Sequence, residues 1–112
     1  DEPVVVLDRK MNVISVNKKF LDLFRVSEDE MRDESLYSVM NGAWDIPRLR
    51  ALLEKTLPKH RTFDNFQISA EFPLIGHREM LLNARQVQTE DPDIRFILLI
   101  FRDVTGKPAK KG

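Results

Sequence analysis

At 112 residues the chain has room for one hydrophobic core and not for two. Its 18 Lys and Arg balance 18 Asp and Glu, so no net field draws it to nucleic acid or an anionic surface, and zero cysteines exclude disulfides, thiolate metal sites and cysteine chemistry. No apolar run approaches the ~20 residues of a membrane span and nothing resembles a signal peptide, so a cytoplasmic setting with no membrane partner is expected.

Val4-Val5-Val6-Leu7 reads as a β-branched strand closed by the polar turn Asp8-Arg9-Lys10, with a second short strand from Val13 to Val16 at hairpin distance. Asn17 suits a helix N-cap, and Phe20, Leu21, Leu23 and Phe24 follow at helical spacing. Ser27 and Glu30 form a capping-box pattern for a second short helix. Leu36 to Met40 reads as one more helical turn, stopped by Asn41-Gly42. The longest helix is expected to be capped by Asp45, with Pro47 in its first turn. Its apolar stripe is Ile46, Leu49, Leu52, Leu53 and Leu57, and Pro58 should end it.

The chain then returns to strands. Phe66, Ile68, Ala70 and Phe72 alternate with Asn65, Gln67, Ser69 and Glu71, the pattern of a half-buried antiparallel strand. Pro73 to Gly76 makes a turn, His77 to Val87 is the next strand, and Glu90 to Asp93 turns into the run Phe96-Ile97-Leu98-Leu99-Ile100-Phe101. That run is apolar at every position, which implies cover on both faces. Two strands, several short helices and three hairpin-linked strands make an α+β domain, an antiparallel sheet with helices over one face. Residues 1–105 are expected to form the domain, and 106–112 a linker or appended tail. The chain begins with Asp1 rather than Met, so a piece of a longer protein is expected.

Several short motifs in this order carry a resemblance: Val5-Val6-Leu7-Asp8, Val16-Asn17-Lys18-Lys19-Phe20, Leu23-Phe24 before Ser27-Glu28-Asp29-Glu30, and the closing Asp103-Val104-Thr105. Together they resemble a PAS domain from about Pro3 to Thr105. The segments from Asn41 to Arg50 and from Met80 to Arg85 are similar to PAS domains of bacterial sensor histidine kinases and chemotaxis methyltransferase/methylesterase fusion proteins. The resemblance implies a PAS fold: a five-stranded antiparallel sheet with a helical flank, and a core that can hold a ligand. It also implies that the exit aspartate ties the output segment to the sheet. The family continues into a charged linker helix, whereas Gly106 and Pro108 oppose one, so an output helix is expected to have been cut away.

An enzyme is not expected. His60 follows the long helix, where a cation favours the C-terminus, and His77 in Gly76-His77-Arg78 reads as a solvated turn residue. A cofactor-binding redox or gas sensor is the alternative. Flavin photochemistry in the family needs a cysteine, absent here, and the axial histidine of haem-binding relatives has no counterpart between Ile46 and Leu57. Haem is thereby disfavoured, though loop residues can also ligate iron; noncovalent flavin, a small organic ligand or no cofactor stay open. A ligand pocket would be lined by Met40, Trp44, Leu49, Leu53, Phe66, Ile68, Leu82 and Leu98, side chains that otherwise simply fill the core.

The remaining expectation is an interaction and relay module of a signal-transduction protein. Val4, Val6, Leu81, Ile97, Leu99 and Phe101 are assigned to the outer sheet face, too apolar to stay wet and therefore met by a second copy of the chain or by a flanking helix. Asp103 and Thr105 are the expected signal exit to a downstream output domain; otherwise they are an ordinary strand end with a turn-forming pair.

Overall fold

The computed structural model describes residues 2–106; the remainder of the expected linker, from Lys107 with Pro108 onward, lies outside the described residues. Five strands, β1 (Val4–Asp8), β2 (Val13–Val16), β3 (Thr62–Phe72), β4 (Gly76–Gln88) and β5 (Arg95–Asp103), form one antiparallel sheet in the order β2-β1-β5-β4-β3. The β1–β2 turn is set by Asp8, whose Oδ1 accepts from the amides of Lys10 (2.8 Å) and Asn12 (2.9 Å). β5 sits at the centre of the sheet, between β1 and β4, and is apolar at every position from Phe96 to Phe101.

The helices cover one face. α1 (Lys18–Phe24) starts at Asn17, whose Oδ1 accepts from Phe20 N at 3.0 Å. The same oxygen accepts from Val4 N at 2.9 Å, and Asn17 Nδ2 donates to the Glu2 carbonyl at 2.8 Å. One side chain thus caps a helix and joins it to the first strand. Asn17→Ala is expected to cost about 1–2 kcal/mol, read as a shift in the urea midpoint at unchanged slope. α2 (Glu28–Met31) carries the full capping box of Ser27 and Glu30.

Two expectations in the helical region need correction. The turn expected over Leu36–Met40 lies instead at α3 (Val39–Gly42), where Met40 and Asn41 take left-handed φ of 54° and 59° ahead of Gly42 at 74°. Left-handed backbone is free only for glycine, so this stretch is held against its preference by its surroundings. Trp44 lies buried just beyond, its indole N–H donating to Met40 Sδ at 3.3 Å.

The long helix is also built differently. α4 (Pro47–Ala51) has Ile46 at its cap, while Asp45 pairs with Arg50 at 2.6 Å. Pro58 does not end the helix. A π-helical turn (Leu52–Thr56) intervenes, with Leu57 N bonded to Leu52 O, and α5 (Leu57–His60) continues past the proline. The widened turn takes up one extra residue and places Pro58 in a fresh first turn, where a missing N–H removes no needed bond. The stripe is otherwise as expected: Leu49, Leu52, Leu53 and Leu57 are buried and Ile46 half-buried.

A cluster of five aromatic rings joins helices to sheet. Phe20 meets Phe24 (4.5 Å between centroids) and Phe101 (5.4 Å); Trp44 meets Phe72 (4.8 Å), Phe101 (5.0 Å) and Phe24 (5.5 Å). Two of these contacts are edge-on, the geometry that ring quadrupoles favour, and three are tilted.

Phe101 in that cluster overturns the expected phase of β5. Ile97, Leu99 and Phe101, assigned to the partner face, are buried on the helical side; Leu98, assigned to the pocket, points to the outer face with Phe96 and Ile100. A run apolar at every position has no phase of its own. Pairing sets it: Leu99 stands opposite Val5 and Ala84, and Phe101 opposite Leu82, all buried, whereas Leu98 stands opposite half-buried Val6 and exposed Arg85.

Candidate functional site

The residues expected to line a pocket are brought together only in part. Trp44, Leu49, Leu53, Ile68 and Leu82 are all within 1% of full burial and belong to one packed core, with Met40 and Phe66 half-buried at its margin. Two rings, Phe72 and Phe101, lie within 5.0 Å of the Trp44 ring, the space an inserted ligand would need. A groove of about 510 Å³ does open between α2, α3 and the β3–β4 turn, but of the expected residues it takes in only Met40.

The outer sheet face is a continuous feature. Val4 opposes Ile100 and Val6 opposes Leu98 across β1–β5; Phe96 opposes Val87 and Arg102 opposes Leu81 across β5–β4. The apolar side chains among these are half-buried apart from the exposed Val87; Arg102 is exposed, and on β4 the residues opposite Ile100 and Leu98 are the half-buried Asn83 and the exposed Arg85. Val4, Val6 and Leu81 therefore lie where the sequence placed them, and Phe96, Leu98 and Ile100 take the places given to Ile97, Leu99 and Phe101. β3 gives this face Gln67, Ser69 and Glu71, all exposed, so the apolar patch is centred on β1 and β5, and β4 adds only Leu81 and Val87 to either side of Asn83 and Arg85. A bulge in β3 near Asn65 (φ 58°) leaves its amide out of the ladder, and Asn83 Oδ1 accepts it at 2.7 Å.

At one end of the patch the chain leaves β5, and there the bonding is dense. Asp103 Oδ2 accepts from Arg78 Nη1 at 3.0 Å and its Oδ1 from Thr105 N at 2.9 Å. Glu79 N donates to Thr105 Oγ1 at 2.7 Å, and Val104 N donates to the Glu79 carbonyl at 2.8 Å. Partial burial pushes the Asp103 carboxyl up, but the Thr105 hydroxyl and amide and the Arg78 guanidinium outweigh it and hold the group below the ordinary aspartate value. The exit segment is thus held at three consecutive residues by two consecutive residues of β4. Sequence reading named Asp103 and Thr105 but not Arg78 or Glu79. They are partners only because β4 runs beside β5 in this register, with Met80 opposite Asp103.

His77 is exposed and lies in β4, as expected, but its ring is not free: Nε2 is 2.7 Å from Glu79 Oε2 and Nδ1 is 3.1 Å from Glu71 Oε2. His60, expected to follow the helix, is instead the last residue of α5, because the helix continues past Pro58.

A five-stranded antiparallel sheet in this order, with short helices and an Asp-Val-Thr exit, matches one known family along nearly its whole length: a sequence model described as the PAS fold covers residues 1–107. The chain belongs to the PAS family. No curated protein matches it. Among solved structures this PAS domain is similar to one from Colwellia psychrerythraea (TM-score 0.80, 15% identity, 95% of this chain and 88% of that one). It is also similar to the PAS domain of nitrogen regulation protein NR(II) from Vibrio parahaemolyticus (TM-score 0.67, 16% identity, 90% and 87%) and to a LOV protein from Rhodobacter sphaeroides (TM-score 0.75, 16% identity, 95% and 60%). PAS domains are sensory and regulatory modules. Among the described residues, no helix is long and apolar enough to cross a membrane.

Proposed function

We propose that this PAS domain is the sensory relay of a bacterial signalling protein. It passes a ligand- or partner-induced shift to an output domain beyond Thr105, and it works as a homodimer joined through the outer face of its sheet. In this reading residues 1–105 are the folded unit, 106–112 lead to the output, and the setting is that of a sensor histidine kinase. The observation that carries it is the exit: both oxygens of Asp103, the Thr105 hydroxyl and the Val104 amide are engaged, so any change in β4 reaches the departing chain directly. An ordinary strand end frays into water and couples to nothing. The apolar patch on β1, β5 and β4 supports the dimer, because it is the kind of surface a partner covers.

The test is Asp103→Ala in the longer protein that carries the next domain. Output activity is expected to change roughly fivefold or more, the scale of coupling between sites, while cooperative unfolding of the PAS domain persists. Unchanged output at unchanged stability would remove the relay role.

A further inference from the structure

We propose that His77, Glu71 and Glu79 form a proton-binding site that controls how firmly the exit segment is held. The inference rests on the relay reading above and names its regulation. A neutral imidazole has one donor nitrogen and one acceptor nitrogen, whereas an imidazolium has two donors. Here both ring nitrogens face carboxylate oxygens, Nε2 toward Glu79 and Nδ1 toward Glu71. The Ser69 hydroxyl also lies 3.3 Å from Nε2 but is 2.7 Å from Glu79 Oε2, to which it donates, so only the protonated ring donates to both carboxylates. A neutral ring must turn a lone pair toward one carboxylate, and that contact then opens.

The position makes the proton consequential. Glu71 belongs to β3 and stands directly opposite His77, while Glu79 lies two residues along β4 on the same face. The protonated ring therefore ties β3 to β4 at the end of the hairpin. The side chain of Glu79 is fixed by His77 and by the Ser69 hydroxyl (2.7 Å), while its amide and carbonyl hold Thr105 and Val104. Glu79 thus joins the proton site to the exit through three bonds. The other charged groups near this end of the sheet are Arg78, which is occupied by Asp103 on the opposite face, and Arg102, one row further along opposite Leu81. Arg78 is thus turned from the ring, while Arg102 is exposed on the ring's own face, diagonal to Glu79.

The hydrogen bonds from the ring to Glu79 and Glu71 raise the His77 pKa above the ordinary histidine value. The sign follows. The contribution of the pair is fully present below the pKa of an unfolded histidine and is lost as pH rises through the higher folded value. The exit is therefore held below the ordinary histidine pKa and released as pH rises through the higher folded value.

The experiment uses the 112-residue chain, with NMR of the His77 ring and amide hydrogen exchange at Glu79 and Val104 from pH 5.5 to 8.5, corrected for intrinsic exchange chemistry. Protection of both amides is expected to fall roughly threefold, as suits an exposed pair, with a midpoint matching the ring titration. His77→Gln should give the low-protection value at every pH. His77→Lys, which keeps a positive charge across the range, should hold protection high and flat. A ring that titrates at or below the ordinary value would overturn the proposal, as would a pH response that persists in His77→Gln. If exchange responds as expected but Asp103→Ala leaves output unchanged in the longer protein, the proton site stands and the relay reading falls.

Discussion

Trp44→Ala is expected to destabilise the domain by about 3–5 kcal/mol, a large share of the stability of a domain this size. Trp44 is fully buried, and its ring has Phe24, Phe72 and Phe101 within 5.5 Å, so truncation leaves a void that three rings cannot collapse into without breaking their own contacts. For a chain of this length, the loss should lower the midpoint of thermal unfolding by more than about 12 °C. The measurement also separates the two roles open to this residue. A side chain lining an empty ligand chamber has little to lose, and a cost below about 1.5 kcal/mol would mean that Trp44 faces such a chamber instead of a packed core. Trp44→Phe should fall between wild type and alanine, because it keeps a ring but shortens it.

The second large effect concerns assembly. Leu98→Lys combined with Ile100→Lys should weaken self-association at least tenfold and leave a monomer at micromolar concentration, with circular dichroism unchanged. Both side chains lie at the middle of the outer face, opposite Val6 and Val4 on β1 and opposite Arg85 and Asn83 on β4. Two ammonium groups placed there keep water contact in the monomer but would be desolvated against an equivalent patch in a dimer. The substitutions leave Ile97, Leu99 and Phe101 untouched on the core side, so the fold has no reason to fail. Light scattering over a hundredfold concentration range decides the matter. A wild-type chain that stays monomeric throughout would dismiss the homodimer and leave the patch to a flanking helix.

The acid side of the stability profile should show the opposite sign from His77. Asp103 is held below the ordinary aspartate value, so its contribution is present above the unfolded pKa and is lost as pH falls through the folded one. The exit is thus expected to be held best between the two titrations.

Much of the architecture was legible because it rests on local chemistry. Asn17 and the Ser27–Glu30 pair announced helix starts through side chains that reach their own backbone, and β3 announced its faces by strict alternation. The same reasoning failed where two local signals competed or none existed. Pro58 reads as a helix stop, yet the wider turn before it let the helix continue. Asp45 reads as a cap, yet the nearby Arg50 guanidinium draws its carboxylate into an ion pair.

The chain by itself determined one domain, the order of its elements, a PAS resemblance and an exit at Asp103-Val104-Thr105, since these depend on residue type and on spacing along the chain. Only the tertiary structure decided which side of β5 faces the core. The run from Phe96 to Phe101 is apolar on both sides, and a strand's phase is then set by its neighbours: Val5, Leu82 and Ala84 draw Leu99 and Phe101 inward. The same holds for the groups around the exit. Arg78, Glu79, His77 and Glu71 are distant in sequence from Asp103 and Thr105, and the register of β3, β4 and β5 makes them a single bonded end of the sheet.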